Sequence, residues 1–294
     1  MTTVLVLGTT GMLGSIVYDF LRRDKSLRVS GTARDATSSG GSAASMRALD
    51  AEGDGAIDLA GVDWVVNCIG VIKPYIHDDN RDEVVRAIRV NSMFPIRLAV
   101  AAERSGTRVI QIATDCVYSG RDGNYDERAA HDPTDVYGKT KSMGEVTSSN
   151  VNHLRCSIIG PEVKGFVSLL SWFLKQDANA TLNGYRNHQW NGVTTLHFAK
   201  ICGGIIKEAP KLPHVQHVIP SGDITKADLL RSFAREYDRK TVTIKDVDAP
   251  SVIDRRLRTT NAEVNAALWK AAGHAQPPTV EAMVHELAVY RSGL

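Results

Sequence analysis

Tyr137 and Lys141 stand four residues apart in the segment Val136-Tyr137-Gly138-Lys139-Thr140-Lys141, and on a helix that spacing puts both side chains on one face. An ammonium held beside a phenol favours its ionised form, which matters because an ordinary tyrosine, with a pKa of about 10, transfers protons poorly near neutrality. Upstream, Val109-Ile110-Gln111-Ile112-Ala113 is an apolar run of strand type that delivers Thr114, Asp115 and Cys116 at its carboxyl end. Parallel sheets place their ligands at that end.

The elements that must position these groups begin at the amino terminus. Thr3 to Leu7 reads as a buried strand, followed by Gly8-Thr9-Thr10-Gly11-Met12-Leu13-Gly14 and then a helical pattern through Leu21. Glycines at this spacing between a strand and a helix allow a tight turn and a close approach to a pyrophosphate, which the helix amino terminus attracts. Thr10, Met12 and Leu13 fall in the same turn and join the candidate cofactor contacts. A second strand, Leu27 to Thr32, runs into Arg34, a planar cation suited to a 2′-phosphate, so NADP(H) is favoured; Asp35 leaves NAD(H) open. Thr37 to Ser45 is rich in serine, glycine and alanine and reads as a mobile surface loop. Asp50 follows it. Val62 to Cys68 is a third strand, ending Asn67-Cys68-Ile69-Gly70-Val71, where a glycine again permits backbone to approach a ligand. An amphipathic helix is expected over about Glu83 to Arg104, kinked at Pro95. Strand and helix alternate throughout this half. That pattern predicts an α/β fold, a Rossmann-type doubly wound parallel sheet.

After a further strand at Asn152 to Ile159 the alternation breaks at Gly160-Pro161. A helix near Phe166–Gln176, an Asn/Gly/Trp-rich stretch at Asn183–Gly192, helices at Leu196–Glu208, Lys226–Tyr237 and Val280–Tyr290, and strands at Val215–Ile219 and Val242–Val247 follow. The division expected is a cofactor domain over 1–159 and a smaller substrate-binding region over 160–294, able to exchange segments with the first. At 294 residues, 43% apolar and 23% charged, the chain can bury a large core. A formal charge of +2 with no basic block argues against nucleic-acid or membrane partners. No signal peptide or membrane span is legible, which predicts a cytoplasmic protein. Cys68, Cys116, Cys156 and Cys202 form no CxxC pair, and the nine histidines make no HExxH or His/Cys cluster, so neither disulfides nor a metal are expected.

Gly8-xx-Gly11-xx-Gly14, Asn67 to Gly70, Asn91, Thr114 and Tyr137-xxx-Lys141 occur in the order and spacing that resemble the extended short-chain dehydrogenases/reductases. Within that group, Ala113-Thr114-Asp115-Cys116-Val117-Tyr118-Ser119-Gly120, the later Pro133 with Gly138-Lys139, and Asp254-Arg255-Arg256-Leu257 are similar to the dTDP-4-dehydrorhamnose reductase family. The likeness is dense over residues 1–160 and thin beyond.

By matching position, the resemblance implies that Tyr137 exchanges the proton, Lys141 holds the nicotinamide ribose and lowers the tyrosine pKa, and Thr114 hydrogen-bonds the reacting oxygen. It further implies that Gly8, Gly11 and Gly14 cradle the pyrophosphate, that Asp50 reaches the adenine, and that Asn91, Cys68, Ile69 and Gly70 complete the cofactor site. Hydride reduction of a ketone builds negative charge on oxygen, and two hydroxyl groups aimed there stabilise it. The expected activity is reduction of a nucleotide-linked 4-keto-6-deoxysugar, in deoxysugar and cell-surface polysaccharide biosynthesis, by a homo-oligomer. Sugar-nucleotide dehydratases carry a glutamate where Cys116 stands, so dehydration is disfavoured. GDP-fucose synthase has a cysteine there as an epimerisation base, with a histidine acid for which His188 is the candidate. An epimerase using Cys116, with Asp115 beside it, is thus one alternative, and a non-catalytic NADP-binding subunit is another. Selectivity is expected from 160–195 and 250–260: Trp172, Tyr185 and Trp190 offer flat faces, Asn191 and Thr194 hydrogen bonds, and Arg256, or else Arg255, a cation for the diphosphate, with Val71 at the sugar.

Overall fold

The computed structural model describes residues 1–35 and 46–290; the loop expected at Thr37–Ser45 lies outside them. Seven parallel strands form the central sheet. The first half supplies β1 (Thr2–Leu7), α1 (Met12–Leu21), β2 (Leu27–Ala33), β3 (Met46–Ala48), β4 (Trp64–Asn67), α2 (Arg81–Ala87), α3 (Phe94–Ser105), β5 (Arg108–Ala113), α4 (Val136–Met143) and β6 (Val151–Arg155). The second half begins with β7 (Ile158–Ile159), α5 (Leu169–Leu174), β8 (Thr181–Tyr185), β9 (Gln189–Trp190), β10 (Val193–Thr194) and α6 (Thr195–Glu208). It continues through β11 (Val215–His217), β12 (Ile224–Thr225), α7 (Lys226–Glu236), β13 (Thr243–Val247), α8 (Ala262–Ala271) and α9 (Val280–Val289). Strand order in the main sheet is β11-β6-β5-β4-β1-β2-β3.

Alternation along the strands explains their apolar runs, and the buried exceptions Asn67 and Gln111 satisfy each other by a hydrogen bond of 2.7 Å. Val4 and Val6 of β1, Trp64 and Val66 of β4 and Ile110 of β5 pack into a core with α1 and α6, whereas Leu5, Leu7, Val65 and Val109 face a second core with α3. A sheet covered on both faces leaves no position for a polar side. This is the α/β, Rossmann-type doubly wound sheet expected. None of the described helices is long and apolar enough to cross a membrane.

Three elements differ from expectation for identifiable reasons. The helix expected to kink at Pro95 instead widens into a π-helical stretch, Ile88–Met93, and resumes as α3 with Pro95 at its second position. A proline needs no N–H partner in a first turn, so the chain continues without a break. The strand expected over Asn152–Ile159 divides into β6 and β7, because β6 stays in the main sheet while β7 turns away to pair with β10, Ile158 opposite Val193. β11, from the second half, returns to the main sheet as its edge, Val215 pairing with His153.

Candidate active site

Two local structures converge at the carboxyl end of β5. Thr114 caps a short 3₁₀ turn, Asp115–Val117, its hydroxyl accepting from the Cys116 amide at 3.2 Å. Asp135 caps α4, accepting from the Gly138 amide at 2.8 Å and holding the Lys73 ammonium at 2.7 Å. The helix can reach the turn only because position 138 lacks a side chain: a Cβ there would lie 2.2 Å from the Cys116 carbonyl oxygen and 2.7 Å from Pro133 Cβ. That contact brings Tyr137 within hydrogen-bonding reach of the Thr114 hydroxyl.

The helix is fixed on its other side by the π-helical stretch. Asn91 accepts from the Val71 amide and donates to the Val71 carbonyl, both at 2.9 Å, with a further contact to Thr140 at 3.3 Å. Ser92 donates to the Thr140 carbonyl at 2.7 Å. With both ends of its amide so committed, Asn91 positions the Gly70–Val71 backbone and α4 together.

Burial sets the charge state of these groups. The Tyr137 phenol is pushed above its usual value by desolvation, reinforced by Cys116, with the Thr114 hydrogen bond opposing. Lys141 is buried, donates to the Ile112 carbonyl at 3.1 Å, and is pushed down by desolvation to about 8. The hydrogen bond of the Lys141 ammonium thus goes to the β5 backbone, and desolvation keeps the Tyr137 phenol protonated in this arrangement. Desolvation also raises Asp115, with Arg255 opposing, and pushes Cys116 up to about 12, where its thiol donates towards the Asp115 carboxylate at 3.7 Å.

A cleft of about 720 Å³ runs from these residues across the sheet edge. Its walls include Thr10, Gly11, Met12, Leu13, Arg34, Cys68, Ile69, Gly70, Val71, Thr114, Asp115, Cys116, Tyr137 and Lys141. An adjoining pocket, which shares Arg86 with this cleft, adds Gly8, Asp50 and Glu52. Gly14 is required by packing rather than by a ligand, since a Cβ there would lie 2.2 Å from the Gly8 carbonyl oxygen. Gly11 caps α1 and meets nothing closer than that same oxygen at 3.4 Å, so it leaves the helix amino terminus open to the cleft. The residues present therefore fit a dinucleotide. Arg34 is 74% exposed along its side chain, 3.9 Å from Glu52, which also pairs with Arg86 at 2.7 Å.

The substrate-side candidates divide. Arg256 is held by Asp254 and Asp223, each at 2.6 Å, and is not in the cleft wall. Arg255 is the arginine whose field reaches Asp115, Cys116 and Asp135, its Nε donating to the Tyr118 carbonyl at 2.8 Å. Asn191 clamps the Leu257 backbone through both amide atoms, at 2.7 and 3.0 Å, and Trp190 braces the wall from behind, donating to Ser157 at 2.8 Å. Thr194 is buried as the cap of α6. Trp172 stands on α5, and Tyr185 stacks obliquely on His188, whose ring donates to the Ser251 carbonyl at 3.0 Å; none of these three lines the cleft.

Sequence reasoning passed over Lys226. Desolvation lowers its pKa, with the charges of Asp115 and Arg255 acting on it, although neither Lys226 nor Arg255 is in the cleft wall. The available signal was its position, because a lysine opening a helix opposes the helix dipole and so calls for another reason to be there. Also missed was the buried ion cluster under α4, where Arg155 pairs with Glu145 and donates to Tyr118 and to His217 Nε2, both at 2.7 Å. His217 Nδ1 faces the Arg258 carbonyl at 2.8 Å, so the cluster joins α4, the turn after β5 and the 255–259 segment.

The RmlD substrate binding domain family matches residues 1–290. No curated protein sequence matches significantly. Among solved structures, a dTDP-4-dehydrorhamnose reductase from Clostridium acetobutylicum is similar, with a TM-score of 0.74 and 18% identity over 97% of this chain and 98% of that one. A dTDP-4-dehydrorhamnose reductase from Bacillus anthracis in complex with NADP gives 0.75 and 16% over 98% and 99%. A UDP-glucuronic acid 4-epimerase from Bacillus cereus in complex with NAD gives 0.71 and 15% over 98% and 96%. At such identities the likeness is one of fold, and the assignment rests on the family match over nearly the whole length: the chain belongs to the RmlD substrate-binding family, within the extended short-chain dehydrogenase/reductase group.

Proposed function

We propose that this protein is an NADPH-dependent reductase of a nucleotide-linked 4-keto-6-deoxysugar, serving deoxysugar and cell-surface polysaccharide biosynthesis. The observation that carries the reading is the pairing of the Thr114 hydroxyl with a neutral Tyr137 phenol at the end of a cleft lined by Gly11, Ile69 and Gly70. A bound nicotinamide supplies hydride. Gly11 and the first turn of α1 would hold its pyrophosphate, Arg34 and Arg86 the phosphate end, and Lys141 the ribose. Thr114 then donates a hydrogen bond to the carbonyl oxygen as charge builds on it, and Tyr137 delivers its proton to that oxygen. Arg255, whose charge acts on Asp115 and Cys116 from just behind the cleft wall, is the candidate cation for the anionic part of the substrate.

Cys116 supports reduction over epimerisation. An epimerase base must be a thiolate, and here the thiol is pushed up to about 12 by desolvation and the neighbouring Asp115. His188 lies outside the cleft wall. The test is NADPH oxidation in heavy water on a 4-keto-6-deoxy sugar nucleotide generated by a 4,6-dehydratase. The reading expects turnover with no deuterium beside the carbonyl. Deuterium incorporation that disappears in Cys116→Ser would establish the epimerase instead.

A further inference from the structure

Outside the cleft wall, a second group of side chains converges on one point. Among the described residues, His197 on α6, His274 in the connection from α8 to α9, and Glu286 on α9 offer ligand atoms that all lie within 4.8 Å of one another. None of the three lines the cleft. His197 Nε2, 3.5 Å from Glu286 Oε2, and His274 Nε2 are buried without a hydrogen-bond partner. Buried polar nitrogens are nearly always satisfied, so two orphans facing one carboxylate call for a reason.

The surroundings of His197 sharpen the point. The ring is fully buried, and its Nδ1 lies 2.7 Å from the Thr194 hydroxyl. If Nδ1 donates to that oxygen, Nε2 presents a lone pair towards Glu286 Oε2, 3.5 Å away. A lone pair opposite a carboxylate is an arrangement that only a cation makes favourable. Fixing one imidazole nitrogen by a hydrogen bond so that the other is free is also how ligating histidines are oriented. In this structure the cation on Glu286 is the Lys200 ammonium, which ion-pairs with the same Oε2.

We propose that His197, His274 and Glu286 form a site for a divalent transition metal of the zinc class, which displaces Lys200 from Glu286 and ties α9 to α6. Two imidazoles and a carboxylate suit zinc, cobalt or nickel, whereas magnesium and calcium select all-oxygen sets. Bonds of about 2.0–2.2 Å require the ligand atoms to draw in by roughly 1 Å. Glu286 can supply that movement, since its side chain is 35% exposed and extends from a surface helix. Motif reading does not find such a site, because its ligands come from elements distant in the chain.

The test uses the full chain without a histidine tag, freed of metal by a chelator. Zn²⁺ is titrated by calorimetry, and Co²⁺ serves as the spectroscopic probe. The proposal expects one ion per chain, the absorption of four-coordinate Co²⁺ without a thiolate charge-transfer band, and a higher melting temperature. His274→Ala and Glu286→Gln, both at partly exposed positions that tolerate change, should each weaken binding about 10–100-fold or more, the scale on which such sites respond. Lys200→Met should tighten it by removing the rival cation. Absence of saturable binding, a thiolate band pointing to Cys68, Cys156 or Cys202, unaltered binding in His274→Ala, or no gain in Lys200→Met would each overturn the proposal.

Discussion

Replacing Gly138 by alanine is a one-atom change whose consequence can be worked from the structure. The added Cβ would lie 2.2 Å from the Cys116 carbonyl oxygen and 2.7 Å from Pro133 Cβ, where real contacts need about 3.4 Å or more. Neither neighbour can rotate away, because one is backbone and the other a proline ring, so α4 must retreat by about 1 Å. Overpacking of this kind costs about 1–3 kcal/mol of stability. The larger effect is on chemistry. Tyr137 precedes the substituted residue and Thr114 belongs to the turn it would push against, so the pair separates, and a misplacement of about 1 Å costs on the order of 10²-fold in rate. Thermal unfolding and kcat for NADPH-dependent reduction measure both. Gly55→Ala, where nothing lies within 4 Å of the new atom, is the control and should stay within about 0.5 kcal/mol of wild type. A Gly138→Ala protein with unchanged melting temperature and kcat would refute the view that the close approach of α4 to the turn positions the phenol.

Three further outcomes follow from the same geometry. Arg34→Ala should weaken NADPH by about tenfold and leave NADH almost unchanged, a modest figure because this guanidinium is 74% exposed along its side chain; equal loss for both cofactors in a binding titration would assign Arg34 another role. Arg255→Ala should raise KM for the sugar nucleotide by about 10–100-fold, the scale of a charged hydrogen bond, with NADPH affinity intact, while Arg256→Ala should lower the melting temperature by freeing Asp254 and Asp223; the reverse pattern would return the anion-binding role to Arg256. Burial lowers Lys141 to about 8, so its ammonium is present below that pH and lost above it. The pH profile of kcat/KM should therefore decline as pH rises through about 8, and Lys141→Met should remove that limb along with most of the activity.

The sheet was legible because β1, β4 and β5 each carry an unbroken apolar run, Val4–Leu7, Trp64–Val66 and Val109–Ile110, the mark of strands covered on both faces. β11 was recognised as a strand but not as the edge of this sheet, since pairing between Val215 and His153 is a long-range event that no local pattern records. The same limit explains the single strand expected where β6 and β7 now part. In the site, Gly11, Arg34, Gly70, Thr114, Tyr137 and Lys141 share one cleft because glycine spacing and the tyrosine–lysine interval are set by local backbone geometry. Arg255 and Arg256 could not be separated beforehand, as in an irregular segment the partners decide, Asp254 and Asp223 holding Arg256 and the Tyr118 carbonyl holding Arg255. The charge of Asp115 likewise acts on Lys226 from an element whose docking the sequence does not reveal.

The direct test of reductase chemistry is Tyr137→Phe assayed for NADPH oxidation on a 4-keto-6-deoxy sugar nucleotide, with NADPH affinity measured in parallel. Loss of the half-buried phenol beside Thr114 should lower kcat by about 10²–10⁴-fold, the scale of general acid catalysis, and leave cofactor affinity nearly unchanged. A Tyr137→Phe enzyme turning over within threefold of wild type would contradict the assignment of the proton to Tyr137, and with it the reading of this cleft as the reductase site.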